Sequence, residues 1–183
     1  MAVLTATADT SDLQSSADQV ADGELWRLFS SGLVVDGVAA PQIALTALAA
    51  FAVIRLQGAA VWWAAMLVGH VGSALIAYAI VGIAVALGSG GAEAAANDPD
   101  FGISCVLGAT LGALFASGWR VVGAIGFVLL LPFSLDWYGP EHPLSFVLGA
   151  LVVGIAGRLR WRQPVEGAAR GARLDATGQH RVR

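Results

Sequence analysis

From Ala59 to Leu87 the chain carries no Asp, Glu, Lys or Arg. An uncharged helix of that length is a membrane span, since about 20 apolar residues cross the hydrocarbon core. Further apolar runs at 38–54, 101–117, 121–135 and 143–157 repeat the signal. Backbone polar groups in lipid must be satisfied locally, and the runs are too long and continuous for barrel strands, so they read as helices. Composition agrees: 57% of residues are hydrophobic, 13% are charged and the mean hydropathy is +0.72, against about 25% charged residues in soluble domains. The expected fold class is all-α, a polytopic membrane helical bundle with about five transmembrane helices.

The flanks differ from this centre. Residues 1–22 are rich in Ala, Ser, Thr and Asp, without a base, and read as a disordered acidic tail rather than a signal peptide. The membrane domain is expected over 23–160 and a basic tail over 161–183. The segment GELWRLFSSGLVVDG reads as a short interfacial helix and hairpin, with Trp26 and Arg27 at headgroup level. Trp62 and Trp63 read as interface anchors, and residues 88–100 and DWYGPEH as loops. Asp36 has the setting of a turn or cap; Asp98, Asp100 and Asp136 are loop acids.

Arginine placement sets the orientation. Arg55, Arg120 and the tail arginines from Arg158 onward fall on one side, with Arg27 the one base on the other. Positively charged flanks stay in the cytoplasm, so the N-terminus is expected outside and the C-terminus inside. The runs starting near Phe101 and His142 then both descend from the outer face. The last three runs are short for a typical bilayer, which implies local thinning or a site near water.

Two stretches carry the chemistry. In FGISCVLGATLG, Ser104 is followed by Gly108 and Gly112 on one helix face. In HPLSFVLGALVVG, His142 is followed by Ser145 and Gly149. Small residues let helices approach closely in lipid, so the ridges are expected to pack together, with a hydroxyl and an imidazole at the same end. Histidine is the usual base that activates a serine, and Pro143 suits the first turn of a helix. Gly102 and Ile103 could offer N–H groups to an oxyanion. Equally, serines in membrane helices bond back to their own backbone, and a histidine at a helix end is often an interface residue. His70, inside the longest run, is a functional candidate by position; a neutral imidazole bonded to a neighbouring helix is the plainer account. Cys105 is a lone thiol and has the character of a small apolar filler. The three histidines form no ligand pair, so no metal is expected, and no cofactor. The basic residues fall in one short tail, so no nucleic-acid partner is expected.

With these residues in place, the chain resembles the rhomboid intramembrane serine proteases over about residues 23–160. GELWRL resembles the family's Gly-x-x-Trp-Arg segment, Gly102-Ile103-Ser104 its Gly-x-Ser motif, and His142 with Ser145 and Gly149 its last-helix pattern. The resemblance implies Ser104 as nucleophile and His142 as general base, cutting a transmembrane substrate near the outer surface of a bacterial plasma membrane. Several positions depart from the pattern. Cys105 stands where the family has glycine, and Gly108 where it often has tyrosine. GVAAPQIAL lacks the His and Asn that help hold the oxyanion, leaving Gln42 as its one amide. The family helix ahead of the Trp-Arg segment has no counterpart. Three functions follow as expectations: an intramembrane serine protease, a catalytically inactive rhomboid-like binder of transmembrane helices, and a small transporter or channel subunit. The last predicts an internal repeat, which the sequence does not show.

Overall fold

The apolar runs fold into helices that end where the sequence punctuates them. A computed structural model describes residues 11–35, 39–133 and 137–178; Asp36 and Asp136 lie outside these. In chain order the helices are α1 Ala17–Ala21, α2 Arg27–Ser30, α3 Ala39–Gln57, α4 Ala59–Ala86, α5 Gly90–Ala96, α6 Ile103–Ala116, α7 Arg120–Leu130 and α8 Glu141–Gly178. Short 3-10 turns, Ser31–Leu33 and Leu131–Phe133, follow α2 and α7. Gly58 and Gly118 hold positive φ, of 91° and 104°, and let the chain reverse between α3 and α4 and between α6 and α7.

Three stretches are long and apolar enough to cross a membrane: Ala40–Gln57, Ala59–Ala86 and Glu141–Leu159. They are consistent with an integral membrane protein. The 14-residue α6 and 11-residue α7 reach only about 21 and 17 Å at 1.5 Å per residue. The chain divides into two units, residues 1–153 and 154–183. In the second the helix runs on to Gly178, and its residues from 161 onward are those read as a basic tail. Every residue of the candidate site belongs to the first.

Within the first unit α6 is the central element. It packs against α3, α4 and α7, and its glycines meet the opening turns of α8. Every residue from Cys105 to Leu114 is buried. One core cluster joins Val53 of α3, Trp62 and Ala65 of α4, Ala113 and Leu114 of α6, and Val153. Trp62 is therefore not an interface anchor. It is buried, and its indole N–H donates to Thr110 Oγ1 at 3.2 Å. Trp63, beside it, is exposed.

The N-terminal segment corrects the disordered-tail reading for residues 11–22. Ser15, Ser16 and Ala17 are buried, and α1 begins with Ser16 Oγ accepting the Gln19 N–H at 3.3 Å. The Asp100 N–H donates to the Ser15 carbonyl at 2.7 Å. Tyr78 closes this contact: its hydroxyl lies 2.6 Å from Ser15 Oγ and donates to Asp100 Oδ2 at 2.8 Å. Arg27, expected at headgroup level, faces protein. It is buried, pairs with Glu24, and its Nη1 donates to the Ser11 and Gln14 carbonyls at 3.0 Å each. The loop at 88–100 also contains structure: Ser89 caps α5 by accepting the Ala92 N–H at 3.3 Å. Tyr78→Phe removes the hydroxyl that joins Ser15 to Asp100. It is expected to cost about 1–3 kcal/mol, the usual penalty for stranding buried polar groups. An unchanged melting temperature in detergent would refute that account of the network.

Candidate functional site

Ser104 is the second residue of α6 and His142 the second residue of α8. The contacts between these helices are made where side chains are missing. A Cβ on Gly108 would overlap Ser145 Oγ and come within 3.3 Å of the His142 carbonyl. One on Gly112 would overlap the Phe146 carbonyl, and one on Gly149 the Ala109 carbonyl. Gly69 of α4 meets the same level, where a Cβ would overlap that of Ala109 and lie 3.1 Å from the Ser145 carbonyl. Three helices thus cross around Ala109, and α6 and α8 run in the same sense, with Cys105 against Glu141 at their starts and Leu114 clustered with Val153 further along. Ser104 stands about one turn, roughly 6 Å along the axis, from Gly108. The two candidate catalytic residues therefore belong to neighbouring turns at one end of the bundle.

Their side chains are engaged elsewhere. Ser104, half-buried, directs its hydroxyl to the Phe101 carbonyl at 3.4 Å. His142, also half-buried, has Nδ1 3.4 Å from the Gly139 carbonyl. Neither bond joins the pair. Ser145 Oγ donates back to the His142 carbonyl at 2.8 Å, so it serves the packing ridge and its own helix together. The Gly102 N–H, a possible oxyanion donor, is given to the Ser31 carbonyl at 3.0 Å. The N–H groups of Ile103, Ser104 and Cys105 are those that a helix start leaves without an intrahelical acceptor. Gln42 lies in the first turn of α3, half-buried, and its main-chain carbonyl accepts from Thr46 Oγ1 at 2.8 Å.

Other polar side chains are more deeply enclosed than either candidate. Cys105 and Glu141, each 1% exposed, are joined by a 3.4 Å contact from Sγ to Oε2. Cys105 is thus not only a filler: it links α6 to the residue beside His142. His70 is 2% exposed, with Nε2 3.4 Å from Ser31 Oγ. Its partner lies on the 3-10 turn after α2, not on a neighbouring spanning helix. Tyr138, just ahead of α8, donates to the Ala95 carbonyl at 2.5 Å, and burial pushes its hydroxyl above the usual tyrosine range. Among the described residues no three His, Cys, Asp or Glu side chains gather as metal ligands.

Sequence reasoning did not single out Ser31, Tyr78 or Glu141. Each is polar and close to an apolar run, and that is the signal they offered. Their partners are distant in sequence, so spacing could not pair them.

Comparison with known proteins returns nothing: no family model, curated protein or solved structure matches the chain significantly. The rhomboid resemblance rests on its quoted motifs alone.

Proposed function

We propose that the chain is a rhomboid-like intramembrane serine protease that cuts transmembrane substrates with Ser104 and His142. The observation that supports this reading is the glycine-mediated contact of α6 with α8, which sets a serine and a histidine on adjoining turns. In this reading the imidazole takes the Ser104 proton as the hydroxyl leaves the Phe101 carbonyl and attacks a peptide carbonyl of the substrate. His142 then returns the proton to the leaving amine. The first-turn N–H groups of α6, which a helix leaves without an intrahelical acceptor, are the donors this reading offers to the developing oxyanion. Hydrogen bonds of catalytic groups commonly tighten only with substrate bound, so the present bonds of Ser104 and His142 describe a resting arrangement.

A second reading has its own support. Both side chains are bonded to carbonyls just ahead of their helices, and the family's His and Asn oxyanion donors are missing. A protein so built would bind transmembrane helices without cutting them. Labelling of purified protein in detergent by a fluorophosphonate serine probe separates the two. The protease reading expects labelling of wild type that Ser104→Ala abolishes and His142→Ala reduces by more than about 10³-fold. A folded wild-type sample that takes up no probe favours the helix-binding reading, and co-purifying membrane partners become the next object.

A further inference from the structure

The ring of His70 occupies space that two glycines leave open. A Cβ on Gly32 would come within 2.9 Å of both Cδ2 and Nε2 of the ring, and one on Gly102 would overlap Cε1. The same Cβ on Gly102 would lie 2.9 Å from the Gly32 Cα. The imidazole is therefore wedged where the turn after α2 meets the residue that caps α6. A closed circuit ties the three together. Ser31 Oγ meets His70 Nε2 at 3.4 Å, the Ser31 carbonyl accepts the Gly102 N–H at 3.0 Å, and Gly102 lies against the ring. Ser73 fixes the other side, its hydroxyl donating to the His70 carbonyl at 3.0 Å. Gly102 is the N-cap of α6, and Ser104 follows two residues later.

We propose that His70, acting with Ser31, is a positioning residue for Ser104: it fixes the Gly102–Ile103 backbone from which the serine is presented. The inference rests on the reading of Ser104 as nucleophile. It explains why a histidine stands inside α4, where an ionisable side chain is costly, and why Gly32 and Gly102 leave room for its ring. A misplacement of about 1 Å can cost about 10²-fold in rate, so a residue that sets this backbone acts strongly without touching substrate.

The test uses full-length protein in detergent and two readouts. One is the rate at which a fluorophosphonate labels Ser104. The other is the rate at which a maleimide alkylates Cys105, the single cysteine, which is buried next to Ser104. His70→Leu keeps apolar bulk and removes the hydrogen bond. His70→Gln returns an amide near Nε2, and Ser31→Ala removes the partner hydroxyl with little change of volume. The expected result for His70→Leu is labelling slowed about 10²-fold and faster Cys105 alkylation. Ser31→Ala should move both readouts in the same direction, and His70→Gln should return them toward wild type. Wild-type rates in both His70→Leu and Ser31→Ala overturn the proposal. Equal impairment of His70→Leu and His70→Gln, with wild-type behaviour of Ser31→Ala, also overturns it, because the ring then only fills space. If His70→Leu does not fold, Ser31→Ala decides. If wild type takes up no probe, the nucleophile reading fails by itself, and Cys105 alkylation still decides whether His70 holds this turn.

Discussion

Gly149→Ala lowers the melting temperature in detergent, while Gly82→Ala leaves it unchanged or raises it. Both add one methyl group to a helix, and both gain the helix propensity of alanine, about 0.5–1 kcal/mol over glycine. They differ in what the methyl meets. At Gly82 there is nothing within 4 Å. At Gly149 it meets the Ala109 carbonyl, and the Ala109 Cα lies 2.9 Å away. Backbone cannot rotate aside as a side chain can, so the helices must separate. Overpacking costs about 1–3 kcal/mol and occasionally more, and separation of α6 from α8 also gives up contacts at Gly108 and Gly112. Gly112→Leu, facing the Phe146 carbonyl, should be worse still. Thermal unfolding of the three variants beside wild type checks the series. Equal stability of Gly149→Ala and Gly82→Ala would refute the packing.

Arg27→Ala is expected to release the N-terminal segment. The guanidinium is buried, holds the Ser11 and Gln14 carbonyls and pairs with Glu24. Hydrogen bonds from a charged group contribute about 1.5–3 kcal/mol each when their loss strands buried partners. Ser30 adds one bond, from its hydroxyl to the Leu13 carbonyl at 2.9 Å, and Ser15 keeps its contacts with Asp100 and Tyr78, so the release is expected over the residues ahead of Ser15. Lysine is not a substitute, because one ammonium cannot reproduce the planar fork whose Nη1 serves both carbonyls while Nε meets Glu24. Limited proteolysis is the direct check: Arg27→Ala should be cut ahead of α1 under conditions that leave wild type intact. Identical digestion patterns would show that other contacts hold the segment.

The helices were legible because their cause is local. The run 59–87 became α4, Ala59–Ala86, and its boundaries follow from Gly58 and from the glycines after Leu87. The glycine spacing behind Ser104 and His142 was legible for the same reason: a face defined at four-residue intervals can be read without a structure. What was not legible depends on partners far along the chain. The polar residues 11–22 have the composition of a disordered tail, and they fold because Arg27, Tyr78 and Asp100 supply hydrogen bonds that no local pattern announces. Trp62 looked like an interface residue because it lies near a helix start; the Thr110 hydroxyl that draws it inward is on α6. At the candidate site the sequence indicated which residues could react. It did not indicate that Ser104 and His142 would each turn to a nearby carbonyl, since that choice depends on loop geometry rather than residue type.

The enclosure of α6 has a consequence for how the protein is made. The helix is about 21 Å long, and from Cys105 to Leu114 its apolar surface is covered by protein. The ribosome delivers α3 and α4 first, then α6, and only later α7 and α8. The central helix is therefore made before part of its enclosure has been synthesised. A nascent chain halted ahead of α8 would leave the bare backbone at Gly108 and Gly112 without the Ser145 and Phe146 that cover it.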